Sequence, residues 1–353
     1  MSHTFVTPDS LLRDLDQLRG DHSLPGVVWA AAPLDGPLVA GASGVRRLNH
    51  PELLTVFDRV HLGSCTKPMV ATMLASLVPE TLDWTTRLTQ VFPAQELHAD
   101  HHEVTLAHLL AHCAGLPAFG DDVDFKPAPA RRGSAVRQRE TFARWVLQQP
   151  PARPIGEYGY SNAGYGVAAV LAERLTGTPW EELMHTRVFE PLGLDSAGFG
   201  WPGRKHDQQP WGHLWRRRHV PHNPQGRYQL HAAIGPAGDA HMNILDFATF
   251  ARAHLRGLCG QGHFLSPEAL TALHTPFRPD IKAGLGWGVT TYRGMRASTH
   301  SGSADTFLAF IVVLPDEGHA FVAVTNAAGG QAEEGLSSIL RHLVSAFTTA
   351  HVG

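Results

Sequence analysis

Residues 61–68 read HLGSCTKP and place a serine and a lysine three positions apart at the start of an apolar helical pattern. Residues three apart share one face of a helix, so Ser64 and Lys67 are predicted to lie side by side near its positive end. A serine hydroxyl is a weak nucleophile until a base removes its proton, and a lysine amine becomes such a base when burial lowers its pKa. The helix is expected to continue through apolar residues at helical spacing, namely Met69, Val70, Met73, Leu74 and Leu77.

The same spacing also occurs in surface helices, where the serine caps the helix and the lysine stays solvated. This chain contains only four lysines, at positions 67, 126, 205 and 282, and the helix that carries Lys67 is apolar. Both observations favour a catalytic pair over a solvated one.

A second group of polar residues, EYGYSN at 157–162, precedes another helical pattern. Tyr160 and Asn162 are two residues apart in an extended approach, so both side chains are predicted to face one cleft. A phenol, present partly as phenolate, would pass a proton between Ser64 and a leaving group, while the amide holds Lys67 or the substrate. Without Ser64 upstream, a tyrosine packed under a helix N-terminus is the commoner arrangement.

A third polar group, STHSGS at 298–303, stands directly before an apolar run that is typical of a strand. His300 and Gly302 share one face of this extended segment, and the glycine lets a substrate backbone approach the strand closely. The backbone N–H of Ser303 is predicted to form an oxyanion hole with the backbone N–H of Ser64. The candidates for substrate contacts in this segment are Ser301 and Gly302.

In their order along the chain, these three groups resemble the signature of class C β-lactamase-like serine hydrolases and of their penicillin-binding-protein, esterase and D-peptidase relatives. Further segments extend the resemblance over almost the whole chain: VTLAHLLAHCAGLP at 104–117, PLGL at 191–194, PAG at 236–238, GLGW at 284–287 and LPD at 314–316.

The resemblance implies a β-lactamase/transpeptidase-like α/β (α+β) fold. In that fold an antiparallel sheet flanked by helices adjoins a mainly helical domain, and the active site lies between them. The resemblance also implies an acyl-enzyme mechanism on Ser64, with catalytic side chains from Lys67, Tyr160, Asn162 and His300.

Three positions depart from the family pattern. The third motif of β-lactamases is K-T-G, and here His300 stands in place of the lysine that attracts a substrate carboxylate. An imidazole is usually neutral near pH 7, so anchoring of an anionic β-lactam is expected to weaken. Asp239 follows Gly238 where relatives often have glycine, and Pro68 is expected to distort the first helical turn.

The pattern of elements divides the chain into two lobes. Hairpin signals near both ends predict a central antiparallel sheet, and a closing helix is predicted near the C-terminal end. We assign residues 1–79 and 231–353 to an α/β lobe and residues 80–230 to a mainly helical lobe without convincing strands.

Two loops of the helical lobe, at 121–130 and 201–227, are unusually long. Long loops in compact domains often act as lids or binding loops. The second loop is rich in tryptophan and proline, and Trp215 is therefore a candidate substrate contact.

Composition and charge exclude several classes of function. A hydrophobic content of 43% with 17% charged residues is typical of a globular chain. A net charge of -3 leaves no broad basic face for nucleic acid. No apolar run approaches the roughly 18 residues of a membrane span, and the first twenty residues lack a secretory pattern, so we expect a cytoplasmic protein without membrane contact. Three cysteines are an odd number that fits a reducing compartment.

Metal hydrolysis is a competing interpretation, because the chain has 23 histidines. No H-E-x-x-H pattern occurs, so no metal or other cofactor is predicted. A non-catalytic module with the same fold is a further alternative, although the joint presence of serine, lysine, tyrosine and asparagine disfavours it.

Among enzymatic functions, we favour a carboxylesterase acting on a small-molecule acyl substrate. D-aminopeptidase, amidase or β-lactamase activity are the alternatives. The sequence leaves the acyl group and the oligomeric state open.

Overall fold

A computed structural model describes residues 4–78, 80–203, 208–226, 229–262 and 264–348 of the chain. Within these ranges, the strands are β1 (Phe5–Val6), β2 (Gly26–Pro33), β3 (Leu38–Gly44), β4 (Val60–His61), β5 (Gly198–Phe199), β6 (His213–Trp215), β7 (His219–Pro221), β8 (Ala240–Met242), β9 (Gly288–Tyr292), β10 (Met295–Ser303), β11 (Leu308–Leu314) and β12 (His319–Thr325).

The α-helices of the same ranges are α1 (Asp9–Asp21), α2 (Thr66–Ala75), α3 (Leu106–Leu110), α4 (Ala135–Leu147), α5 (Asn162–Thr176), α6 (Trp180–Met184), α7 (Glu190–Leu192), α8 (Gly235–Gly238), α9 (Ile244–Leu258), α10 (Pro267–His274) and α11 (Ala332–Phe347). None of the described helices is both long and apolar enough to cross a bilayer.

A seven-stranded sheet forms the centre of the fold, in the order β1-β3-β2-β12-β11-β10-β9. All neighbours pair antiparallel except β1 and β3, which run parallel. The two predicted hairpins, β2–β3 and β11–β12, are therefore confirmed. The strands of this sheet all come from the two ends of the chain, which lie within the ranges assigned to the α/β lobe.

Alternation along β2 explains why the sheet is covered on both faces. Val27, Trp29 and Ala31 contact the core under α1 and α11, whereas Val28 and Ala30 point into the core shared with α9 and the helical layer. Because each face carries apolar side chains, the strand is a nearly continuous apolar run rather than an alternating one. The predicted α/β class, with an antiparallel sheet flanked by helices, is confirmed.

The helical layer is built around α5, whose residues are buried along most of its length. This helix packs on α2, α3, α4 and α8, and the joint core reaches the sheet without a break. The division into lobes at residues 79, 80, 230 and 231 remains a prediction.

Several local expectations were wrong. The short strands β5, β6 and β7 lie within residues 80–230, where none was expected, because two- and three-residue strands are too short to show an alternating pattern. Pro8 occupies the N-cap of α1, and the hydroxyl of Thr7 donates to the Ala40 carbonyl at 2.5 Å.

Pro68 does not interrupt its helix, because it lies in the first turn of α2, where helical N–H groups have no intrahelical partner. The loop at 121–130 contains a 3₁₀ turn at Asp122–Phe125, and the loop at 201–227 contains the β6–β7 hairpin. Residues 204–207 and Arg227 of that loop, and hence Lys205, lie outside the described residues.

A buried ion pair ties the helical layer together. Arg139 of α4 is 1% exposed and donates to Glu173 of α5 at 2.6 Å and to Glu181 of α6 at 2.8 Å. Glu173 is itself buried, and it also accepts the backbone N–H of Trp180 at 3.0 Å. A buried charge that loses its partner is costly, so this guanidinium is expected to contribute strongly to stability.

We expect Arg139→Met to lower the free energy of unfolding by about 3–5 kcal/mol, because it leaves the Glu173 carboxylate buried without a cation. Urea denaturation at neutral pH measures this change. The double variant Arg139→Met/Glu173→Gln is expected to lose less than the single variant, since it removes the unpaired charge. The matched control Arg144→Met removes an exposed guanidinium from Glu96, which keeps its pair with Arg174, and should cost at most about 1 kcal/mol. Equal losses in Arg139→Met and Arg144→Met would contradict the argument.

Candidate active site

Ser64 lies in a 3₁₀ turn, Gly63–Cys65, that leads directly into α2. The helix thus begins two residues later than the serine, and Ser64 stands on the turn before it. The Thr66 hydroxyl donates to the Gly63 carbonyl at 2.7 Å and accepts the backbone N–H of Ala240 at 3.0 Å. These bonds fix the turn against the short strand β8.

Lys67 is fully buried, and its amine has three near neighbours. The Nζ atom lies 2.9 Å from Ser64 Oγ, 2.8 Å from Asn162 Oδ1 and 2.7 Å from the Ala237 carbonyl oxygen. Burial lowers the pKa of Lys67 well below its usual value, because the charged form has lost its water. A neutral amine has two N–H bonds, and the amide and carbonyl oxygens accept both. Its lone pair is then directed at the hydroxyl of Ser64.

Asn162 is held in one orientation by the loop before α5. Its Nδ2 donates to the Phe119 carbonyl at 2.9 Å, which leaves Oδ1 as the acceptor for Lys67. Ser161, rather than Asn162, caps α5: its hydroxyl accepts the Gly164 N–H at 3.2 Å.

The hydroxyl of Tyr160 lies 2.9 Å from Ser64 Oγ, and the Lys67 amine lies 4.7 Å from the centre of the tyrosine ring. Although 39% of the tyrosine remains open to the cleft, desolvation raises the pKa of Tyr160 to about 12, against the opposing effect of its bond to Ser64. The phenol is therefore protonated near neutral pH and donates to Ser64, and the expected partial phenolate is not favoured in the free site.

The ring of His112 packs against the ring of Tyr160. The two rings lie 4.4 Å apart at 31°, and His112 Nδ1 accepts the Ser161 N–H at 3.1 Å. Burial, and then the neighbouring Lys67, lower the pKa of His112 well below its usual value, so it is a neutral packing partner. None of the three polar groups of the sequence includes His112, and His108, four residues earlier, bonds Thr105 at the start of α3.

Strand β10 forms the opposite wall and approaches the Ser64 turn very closely. A Cβ atom added to Gly302 would lie 2.6 Å from the backbone nitrogen of Ser64, and one added to Gly63, at φ +50°, would lie 2.5 Å from the backbone nitrogen of Ser303. Neither position can carry a side chain without moving the strand from the turn. The backbone nitrogens of Ser64 and Ser303, which are predicted to form an oxyanion hole, therefore both lie at the contact between the Ser64 turn and β10.

His300 lies two residues before Gly302 and shares its face of the strand. Its Nδ1 is 2.7 Å from the carbonyl oxygen of Ser301, whose side chain is exposed. Desolvation, and then the neighbouring Lys67, lower the pKa of His300 to about 3. The imidazole on this wall is therefore uncharged near neutral pH.

A pocket of about 290 Å³ opens beside these groups, and its lining includes Tyr160, His300, Ser301, Lys282 and Trp287. A larger groove of about 600 Å³, lined by Trp84 and Phe277, shares none of these residues. The pocket that adjoins Ser64 is the smaller one.

Trp215 lies elsewhere on the surface. It stands on β6, 45% exposed, against the turn at Gly329 and Gly330 and the ring of His219. Its predicted contact with substrate remains a prediction.

The histidines among the described residues do not assemble into a metal site. In the part of the chain that the structure describes, no three His, Cys, Asp or Glu side chains are grouped so that they could hold an ion. Several histidines bond to the backbone instead: His213 Nδ1, for example, lies 2.6 Å from the Asn326 carbonyl.

Comparison with known proteins places this arrangement in a family. The model of the Beta-lactamase family matches residues 11–345. An unguisins hydrolase of Aspergillus campestris is 27% identical over 342 residues, which cover 91% of this chain but only 62% of that protein. Penicillin-binding protein 4 of Amycolatopsis lactamdurans is 26% identical, over 93% of this chain and 87% of its own length.

Among solved structures, the D-amino acid amidase of Ochrobactrum anthropi SV3 in complex with D-phenylalanine superposes with a TM-score of 0.74 at 20% identity. The match covers 96% of this chain and all of that chain, and it shows a shared fold. The family match over residues 11–345 leads to one conclusion: the chain belongs to the Beta-lactamase family of hydrolases.

Proposed function

We propose that the protein is a serine hydrolase that forms an acyl-enzyme on Ser64 and acts on small carboxylic esters. The observation that carries this proposal is the buried amine of Lys67, whose Nζ lies 2.9 Å from Ser64 Oγ, 2.8 Å from Asn162 Oδ1 and 2.7 Å from the Ala237 carbonyl oxygen. A solvated helix lysine would show none of these features.

In the proposed mechanism, Lys67 removes the proton of Ser64 as Oγ attacks the carbonyl carbon of the ester. The backbone N–H groups of Ser64 and Ser303 stabilise the negative charge that develops on the carbonyl oxygen. Tyr160 gives its proton to the leaving alkoxide, and its phenolate then lies beside the Lys67 ammonium, which holds the proton taken from Ser64. Water then attacks the acyl-enzyme with the same groups in reverse order, which releases the acid and restores Ser64.

The proposed preference for esters rests on the uncharged imidazole of His300 in the β10 wall. A carboxylate placed beside His300 would have no charged partner there, and burial of an unpaired carboxylate costs several kcal/mol. A neutral ester meets no such cost. A substrate panel has to separate ester hydrolysis from amide and β-lactam hydrolysis. A cytoplasmic location remains a prediction.

Replacement of Ser64 by Ala is expected to leave the fold intact, because the hydroxyl contributes at most about 1 kcal/mol at the helix start. The variant should form no covalent adduct with a fluorophosphonate or a slow ester. Intact-mass spectrometry followed by peptide mapping measures the adduct. Label on any residue other than Ser64, or none on wild type, rejects the assignment.

If Lys67 and Tyr160 act as one proton-transfer unit, Lys67→Met and Tyr160→Phe should each lower turnover roughly a hundredfold or more. The double variant should then lose much less than the product of the two single losses. Steady-state kinetics with an aryl ester, with circular dichroism as a folding control, makes this comparison. Additive losses would indicate separate roles, and a nearly normal Tyr160→Phe variant would remove the phenol from the mechanism.

We expect wild type to hydrolyse a neutral aryl ester with a higher kcat/KM than a chromogenic cephalosporin, and His300→Lys to shift this ratio roughly tenfold towards the cephalosporin. Since desolvation holds the pKa of His300 near 3, lowering the pH from 8 to 6 should not protonate it and should leave the ratio unchanged. Measuring both substrates for both proteins across this range tests the point. A wild-type preference for the cephalosporin would show that the wall does not set selectivity.

A further inference from the structure

The pocket beside Tyr160 and His300 carries one permanent charge. Its lining includes Lys282, and no Asp or Glu of the described residues contributes to it. The two imidazoles of the lining, His112 and His300, are held neutral, because desolvation lowers the pKa of each. The electrostatic character of the pocket is therefore that of a single cation.

The charge of Lys282 is not neutralised by its neighbours. Its side chain is exposed, and it forms no ion pair with any carboxylate in the described ranges. The nearest acidic residue along the chain, Asp280, is occupied by Arg278 through two bonds of 2.7 and 3.1 Å. The ammonium is thus available to a ligand in the pocket.

The backbone around Lys282 is fixed. Its carbonyl accepts the Val289 N–H at 3.1 Å, and the next residue, Ala283, accepts the Phe277 N–H at 2.7 Å. Ala283 also bridges to Gly288, and Gly288 pairs with Thr299 of β10. Two strand spacings separate the Lys282 segment from β10, which corresponds to about 10 Å.

We infer that Lys282 binds a carboxylate of the substrate at the far end of this pocket. The inference rests on the proposed function, because it names a second group on the same acyl substrate. A pocket of about 290 Å³ with one cation and otherwise uncharged walls matches one carboxylate on a short chain. The Lys282 segment lies two strand spacings from β10, so we distinguish that carboxylate from one placed beside the third motif.

The test uses isosteric ester pairs that differ only in charge. In the first pair the charge lies on the acyl side: the monoaryl ester of glutaric acid is compared with its neutral glutaramate counterpart. In the second pair the charge lies on the leaving group: 4-carboxyphenyl butyrate is compared with the neutral 4-carbamoylphenyl butyrate. Kinetics are measured for wild type, Lys282→Gln and the matched control Arg13→Gln, which removes an exposed charge from α1 on the other face of the sheet.

For at least one pair, wild type should prefer the carboxylate, and Lys282→Gln should lower kcat/KM for it about threefold to tenfold, mainly through KM. The neutral partner should change less than about twofold, and Arg13→Gln should change neither. Raising the ionic strength should reduce the wild-type preference, because the pair is near solvent. An unchanged preference in Lys282→Gln for both pairs overturns the inference while leaving the hydrolase proposal intact.

A binding measurement separates the two proposals if turnover is absent. Calorimetry with Ser64→Ala should show tighter binding of the carboxylate ester than of its amide, and Ser64→Ala/Lys282→Gln should show no difference. Equal binding of both members of each pair to Ser64→Ala would refute the role of Lys282 whatever the catalytic result. Absence of hydrolysis by wild type, with this binding difference preserved, would refute only the proposed reaction.

Discussion

The burial of one amine, that of Lys67, constrains the rest of the cleft. An ammonium at this depth would need anionic partners to replace its water, yet its two nearest acceptors apart from Ser64 are the neutral oxygens of Asn162 and Ala237. Burial therefore favours the uncharged amine, and an uncharged amine has a lone pair to offer. The remaining polar groups are arranged around this requirement: Asn162 is turned by the Phe119 carbonyl, and Tyr160 stays protonated so that Ser64 accepts its hydrogen.

The helical layer and the sheet contribute different parts of the site, and they meet at two glycines, Gly63 and Gly302. The helical layer supplies the amine of Lys67 and the phenol of Tyr160, whereas the sheet supplies the wall of β10. Gly63 and Gly302 permit contact between the Ser64 turn and that strand at distances that no Cβ atom could occupy. The relative position of the nucleophile and the wall is thus set by two missing side chains, and a methyl group at either would separate the layers.

Local patterns were sufficient for part of this arrangement. The turn signals gave the hairpins, the apolar spacing gave α2 and α11, and the order of three polar groups indicated the site that the structure assembles. His112 could not be found in the same way, because its role depends on a ring contact with Tyr160 across 48 residues of chain. The carbonyl of Ala237 has no side-chain signature at all, and the protonation state of Tyr160 follows from burial, which only the folded chain defines.

Burial also leaves the basic side chains around Ser64 uncharged. Lys67, His112 and His300 are all basic by residue type, yet desolvation lowers the pKa of each, and the charge of Lys67 would oppose protonation of both imidazoles. The surroundings of the reacting bond are consequently uncharged, and the cation of Lys282 stands at a distance. A substrate carboxylate bound there keeps its charge throughout the reaction, so its attraction to Lys282 stabilises the ground state and the transition state alike. Such binding would lower KM without raising kcat, and in the proposed reaction the acceleration of acyl transfer would rest on the neutral amine, the phenol and the backbone N–H groups.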